Sequence, residues 1–153
     1  MANLNVEDIK KLREETGAGV MEVKQALEEA NGNYNGAKAE LMKKVSAKAA
    51  KKADRNAKDG LIVSYIHHGG KIGSMILLAC ETDFVAKTDY FQVVGRDIAM
   101  QVCTEDYETI EELLSSDYIK DPSKKISDLV EELTAKMGEK IEIKRFVKFS
   151  IFE

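Results

Sequence analysis

At Gly60 the chain changes its period. Before it, apolar side chains recur at three- and four-residue steps. After it, Leu61-Ile62-Val63-Ser64-Tyr65-Ile66 and the run from Lys71 to Cys80 carry the two-residue period of strands. His67-His68-Gly69-Gly70 joins the two runs, and its glycines can take the positive φ that a hairpin turn requires. A helical half followed by a half mixing strands with helices defines an α+β chain. The expected architecture is an N-terminal three-helix module at residues 1–42 and a basic linker helix at 43–59. An α+β core at 60–153 follows, a small antiparallel sheet covered by helices.

Three short helices account for the first segment. Asn5 is placed to cap the first, with Asp8 at N3 and Leu4 and Ile9 in the flanking places of a hydrophobic staple; Gly17 ends it. The second starts near Gly19 and carries Val23, Ala26, Leu27 and Ala30 on one face. Asn31-Gly32-Asn33 turns the chain into a third, with Tyr34, Ala37, Leu41 and Val45 in register. Met21 falls about 170° around the second helix from its apolar face, so it points to solvent or to a partner, with Val20 near the same edge. Gly17-Ala18-Gly19 permits close approach of another backbone, which makes residues 17–21 a candidate docking tip. It is not a phosphate loop, since no strand precedes it and no Gly-Lys-Ser/Thr follows.

Charge is patchwise. Residues 43–59 hold seven basic side chains against Asp54 and Asp59, although the whole chain carries −4 with a pI near 5.4. Lys44, Lys48, Lys51, Arg55 and Lys58 follow a 4-3-4-3 spacing along one side of an expected unbroken helix, opposite Ala49, Ala50, Ala53 and Ala57. Such a stripe either meets an acidic partner or RNA, or is the solvated face of a linker, its commoner use. No aromatics interleave with it and the overall charge is acidic, so there is no strong nucleic-acid signal.

Past the hairpin, Phe91, Val94, Ile98 and Val102 mark a long helix that Thr88 can cap. Residues 104–125 read as acidic and irregular, with one turn of helix around Ile110-Leu114. Ile126, Leu129, Val130, Leu133 and Met137 form a further helical stripe ended by Gly138. The last strand alternates Ile141, Ile143, Val147, Phe149 and Ile151 on one face against Phe146 and Phe152 on the other. Two helices cover one face of a three-stranded sheet. The other face is expected to close against a second copy of the chain, giving a non-covalent homodimer.

Between the second strand and the long helix lies Glu81-Thr82-Asp83-Phe84-Val85-Ala86-Lys87, with an acid and a phenyl ring adjacent on a connection. Either the ring folds back under its own loop, which composition alone favours, or it stands out as a wedge beside a charge that biases the partner. Signals for chemistry are weak. His67 and His68 are adjacent and point to opposite sides of a strand, which does not suit one metal. A Cys80–His–Asp83 nucleophilic site is conceivable through the hairpin, but no spacing demands it. The expectation is no catalytic residue, no metal and no cofactor. Cys80 and Cys103 read as buried, reduced thiols of a cytoplasmic protein. No stretch resembles a signal peptide or approaches the ~20 apolar residues of a membrane span.

The run Leu12-Arg13-Glu14-Glu15-Thr16-Gly17-Ala18-Gly19-Val20-Met21, continued by Ala26-Leu27 and Ala30-Asn31-Gly32, resembles the N-terminal signature of the bacterial elongation factor Ts family. Cys80-Glu81-Thr82-Asp83-Phe84-Val85-Ala86 resembles its second signature. The resemblance spans nearly the whole chain, with both motifs in order. It implies a ubiquitin-associated-like helical module, an α+β core and a guanine-nucleotide exchange factor for the translational GTPase elongation factor Tu. Gly17, Gly19, Val20 and Met21 would dock on the partner's nucleotide-binding domain. Thr82, Asp83, Phe84 and Val85 would reach beside its Mg²⁺ site. Displacing Mg²⁺ and the amides around phosphate hastens GDP release without breaking a bond or binding nucleotide directly. Longer members carry a duplicated core subdomain and a helical-hairpin insertion, for which residues 104–125 are too short. Val20 stands where many members have a second Met. Short members resemble this chain more closely and pair as homodimers.

Overall fold

A computed structural model describes residues 4–152 as two compact units. The first takes the chain through Asp54 together with Glu131–Gly138; the second takes Arg55–Val130 and the segment from Glu139 onward.

The first unit is built on α1 (Val6–Thr16), α2 (Val20–Glu29) and α3 (Tyr34–Lys51). The Asn5 side chain accepts the Glu7 amide at 3.0 Å, and Gly17 stops α1 in the left-handed region at φ 73°. Ile9, Leu12, Val23, Ala26, Leu27, Ala37 and Leu41 form the core, with Leu4, Ala30 and Tyr34 at its margin. Tyr34 donates its hydroxyl to Glu15 at 2.7 Å, and Lys38 stands 3.2 Å from the same carboxylate. Burial pushes the Glu15 pKa up, but the bonds from Tyr34 and Lys38 outweigh it and hold the group below its ordinary value. Within this unit Ser46 of α3 donates to Glu131 at 2.6 Å.

The basic segment departs from expectation. Helix α3 runs on from Tyr34 but ends at Lys51, and residues 52–54 form a turn. Arg55 and Lys58 therefore leave the stripe. Past Val45 no large side chain buries against the unit, so propensity alone must sustain the helix, and Asp54 and Asn56 favour turns. Lys48 pairs with Glu22, Arg55 lies 3.5 Å from Glu81, and of the four alanines opposite the stripe Ala57 is buried, Ala49 half-buried, and Ala50 and Ala53 exposed.

The second unit centres on an antiparallel sheet in the order β1 (Asp59–Ile66), β2 (Ile72–Cys80) and β5 (Glu142–Ser150). A four-residue turn, α4 (Asp83–Ala86), leads from β2 into α5 (Asp89–Val102). Phe91, Val94, Ile98 and Val102 of α5 are buried, as are Val63, Ile76 and Leu78 of the sheet. Each such side chain stabilises by roughly 1.5–3 kcal/mol. A Cβ on Gly95 would sit 3.0 Å from Val63 Cγ2, a measure of how closely α5 lies on the strands.

Residues 104–125 are more ordered than their composition indicates. They hold α6 (Ile110–Ser115) and a small hairpin of β3 (Asp117–Tyr118) and β4 (Asp121–Lys125). Buried Gln101 ties the hairpin to α5: its amide donates to the Asp117 carbonyl at 2.9 Å, and its oxygen accepts the Ile119 amide at 2.9 Å. Helix α7 (Ile126–Met137) follows, its latter part belonging to the first unit.

The face assignment of the last strand needs correcting. Register passes from Leu77↔Arg145 to Leu78↔Ile143, which leaves Lys144 as an extra residue. A bulge reverses alternation, so Phe146 joins the side of Ile143, opposite Ile76 and Leu78. Val147 and Phe149 pass to the outer face with Met75, Ile62 and Ile66. That outer face is open, Ile62 being 71% and Phe149 69% exposed.

Candidate protein-docking surfaces

In the first unit the tip is set by backbone sterics and one carboxylate. A Cβ on Gly17 would lie 2.7 Å from the Glu132 carbonyl oxygen, and its φ is one that other residues resist, so glycine is required there twice over. Thr16 donates to the Leu12 carbonyl at 2.6 Å and accepts the Ala18 amide at 3.2 Å. Gly19 caps α2, and Glu22, three residues on, reaches back to accept the Gly19 amide at 3.1 Å while its other oxygen meets Lys48. The Lys48 bond lowers the Glu22 pKa; burial opposes this and the Gly19 amide reinforces it. On the turn so held, Met21 is 75% exposed, and Val20 is less so at 37%. Gly17 and Gly19 shape the turn and present no side chain.

In the second unit Thr82 occupies the N-cap of α4, with every polar atom engaged. Its amide donates to Glu139 Oε1 at 3.0 Å and its hydroxyl to Glu139 Oε2 at 2.7 Å. The same hydroxyl accepts the Val85 amide at 3.5 Å, and the Thr82 carbonyl accepts from the Cys80 thiol at 3.1 Å. The Glu81 amide also donates to Glu139 Oε1, at 3.1 Å. From this turn Phe84 projects with 80% of its surface exposed, so the ring does not fold under its own loop. Asp83 is exposed beside it, and a 2.8 Å bond from Lys87 holds its carboxyl below the usual value. Val85 points the other way and is buried with Ala86, so it anchors the turn and is not itself presented.

The conceivable nucleophilic site does not assemble. Cys80 pairs across the hairpin with Asp59, while His67 bonds to Ile72 at the far end. Eight strand residues at ~3.3 Å each separate them by on the order of 25 Å. Burial, with Glu139 and Asp59 nearby, pushes the Cys80 thiol up to about 11, which disfavours the thiolate. Cys103 is only partly buried, at the C-terminal cap of α5, and both thiols are free. Among the described residues no cluster of three His, Cys, Asp or Glu could hold a metal ion, and no helix is long and apolar enough to cross a membrane.

Two residues that shape these surfaces escaped the sequence reading. Glu22 had a legible signal, a Glu at the third position after a helix cap. Glu139 had none, because it stands 57 residues from Thr82.

The α+β chain thus presents an exposed apolar side chain, Met21 or Phe84, from each of two stiffened turns. Residues 81–153, which begin at the second of these turns, match the family model described as Elongation factor TS. Over 198 aligned positions the chain is 37% identical to "Elongation factor Ts" of Anaeromyxobacter sp., covering all of this chain and 90% of that protein. It is 38% identical to the Fervidobacterium nodosum protein of that name over 195 positions, covering 98% of this chain and 99% of the relative. The Nostoc sp. protein of that name is 39% identical over 151 positions, and there the chain spans about half of the relative's length, 48%. The chain belongs to the elongation factor Ts family of translation elongation factors. An alignment of 198 positions against 153 residues means that the Anaeromyxobacter relative has stretches with no counterpart here.

Proposed function

We propose that this chain is the guanine-nucleotide exchange factor of elongation factor Tu, docking through Val20 and Met21 and prising the Mg²⁺ and phosphate site with Phe84 and Asp83. The observation that carries the reading is an 80%-exposed phenyl ring on a turn whose cap residue has every polar atom bonded. Exposing such a ring to water is unfavourable unless a partner covers it, and a fixed turn spends little entropy on binding. An aromatic anchor of this kind is worth ~2 kcal/mol or more at an interface. By linkage, whatever factor the protein takes from GDP affinity, GDP takes from its own affinity for the GTPase. The protein acts as an exchange factor of the cytoplasm and not as a hydrolytic enzyme. The test is release of fluorescent GDP from purified elongation factor Tu, which the protein should accelerate at sub-stoichiometric concentration; an unchanged rate would refute the reading.

The open outer face of the sheet, with Ile62, Ile66, Met75 and Phe149, supports a homodimer in which two such faces pack together. Sedimentation equilibrium should then give about twice 17.0 kDa. A monomer at micromolar concentration with full exchange activity would remove the dimer from the proposal.

A further inference from the structure

We infer that Glu139 is the positioning residue of the exchange loop: its carboxylate, bonded to Glu81 and Thr82, fixes the direction in which Phe84 is presented. The inference rests on the wedge reading of Phe84 and adds to it a residue outside the second signature.

The need for such a residue follows from the backbone. Strand β2 ends at Cys80 and α4 begins at Asp83, so the amides of Glu81 and Thr82 lie where the ladder has stopped and the helix has not begun. Amides in that position must find a partner outside regular structure. Both find the same one, Glu139 Oε1, at 3.1 and 3.0 Å. The second oxygen takes the Thr82 hydroxyl proton at 2.7 Å, which leaves that hydroxyl's lone pair turned toward the Val85 amide. One carboxylate thus fixes the approach to the turn and the cap that starts it. Among the described residues no Lys or Arg forms an ion pair with Glu139, so its bonding goes to this turn. Glu139 itself follows directly on Gly138, which takes φ 73° at the end of α7. Glu139 therefore lies just beyond that helix end, and it is the residue bonded to the loop. Without the clamp, water would satisfy the two amides, the turn would sample several orientations, and Phe84 would meet its target in the productive one only part of the time. Docking elsewhere on the molecule would not change.

The full-length protein carrying Glu139→Ala, Glu139→Gln or Phe84→Ala, compared with the parent, tests this. The readouts are the maximal rate of GDP release from elongation factor Tu and the concentration giving half that rate. Hydrogen exchange of the Glu81 and Thr82 amides is followed in the free protein. Glu139→Ala should lower the maximal rate about tenfold and speed exchange of those two amides, leaving the half-saturating concentration within about twofold. Glu139→Gln keeps an oxygen for the amides and an NH₂ for the hydroxyl oxygen, so it should recover most of the rate. A parental maximal rate in Glu139→Ala while Phe84→Ala is slow would overturn the inference and leave the wedge standing. A parental rate in Phe84→Ala would overturn the wedge reading and this inference with it. A Gln variant as slow as the Ala variant would show that charge matters and not position, and would also overturn the inference. If Glu139→Ala does not fold, Glu139→Asp decides, because it keeps the charge and loses the reach. It should be slow at a native half-saturating concentration, and a parental rate would refute the positioning role.

Discussion

The tip at residues 17–21 and the turn at residues 81–85 solve one problem in two ways. Each presents a large apolar side chain, Met21 or Phe84, from the first turn of a helix, and each uses a carboxylate to hold the residue that caps it. At the tip the acid is Glu22, three residues from the Gly19 it holds; at the turn it is Glu139, 57 residues from Thr82. The bond from the Gly19 amide to Glu22 is local and can form as soon as the helix forms, and the fold then adds Lys48 to the same carboxylate. A distant clamp exists only once the fold is complete, so the turn is ordered only in the folded molecule. The difference extends to the side chains offered. Methionine is flexible and adapts to the surface it meets, whereas a phenyl ring on a fixed turn displaces what lies in its way. On the proposed function, the tip is suited to holding the partner and the turn to disturbing it.

Deleting residues 1–42 is the coarsest way to break the pair. Two anchors at roughly 1–2 kcal/mol each leave with it, so affinity for the GTPase should fall on the order of 100-fold. We propose that residues 60–153 keep their sheet without the module, although Glu131–Gly138 would lose their own unit. Circular dichroism should therefore show helix lost beyond the deleted residues with strand signal kept. Loss of the strand signal would show that the module is part of the same folding unit.

Phe84→Ala should slow GDP release about 30-fold at saturating protein, the rate equivalent of ~2 kcal/mol, with nearly unchanged thermal stability because the ring buries little in the fold. Met21→Ala should do the reverse. The half-saturating concentration should rise up to about tenfold while the maximal release rate stays put, as uniform binding energy is lost. If the two variants change the same parameter, the division between holding and disturbing is wrong.

The smallest effect concerns the tip clamp and pH. The folded Glu22 pKa lies below its ordinary value of 4.5, chiefly through Lys48. The clamp therefore adds stability in full above that value, and loses it as pH falls through the depressed folded value. Urea denaturation should find Glu22→Gln less stable than the parent at neutral pH, with the gap closing in acid. A gap that widens in acid would reverse the assigned sign.

Much of the architecture was legible because it rests on short-range rules. The period change at Gly60, the caps at Asn5 and Thr88, the start of α2 near Gly19, the stop at Gly17 and the outward placement of Met21 all follow from spacing within a few residues. The errors share one cause. The basic helix stops at Lys51 because none of its large side chains past Val45 is buried, and propensity cannot report that. The hairpin within 104–125 forms around Gln101, a polar residue set in an apolar stripe, and only its distant partners account for it.

The sequence by itself determined the class, the helical tip and the family, since periodicity, caps and contiguous motifs are local quantities. Tertiary structure decided which way the exposed groups face. One extra residue, Lys144, exchanges the two sides of the last strand, and alternation read from sequence cannot register a bulge. Val85, part of the motif by position, is turned inward, and Phe84 is turned outward by an acid that the chain brings back from the end of α7. Orientation depends on partners far apart in sequence and close in space, and those exist only after the chain has folded.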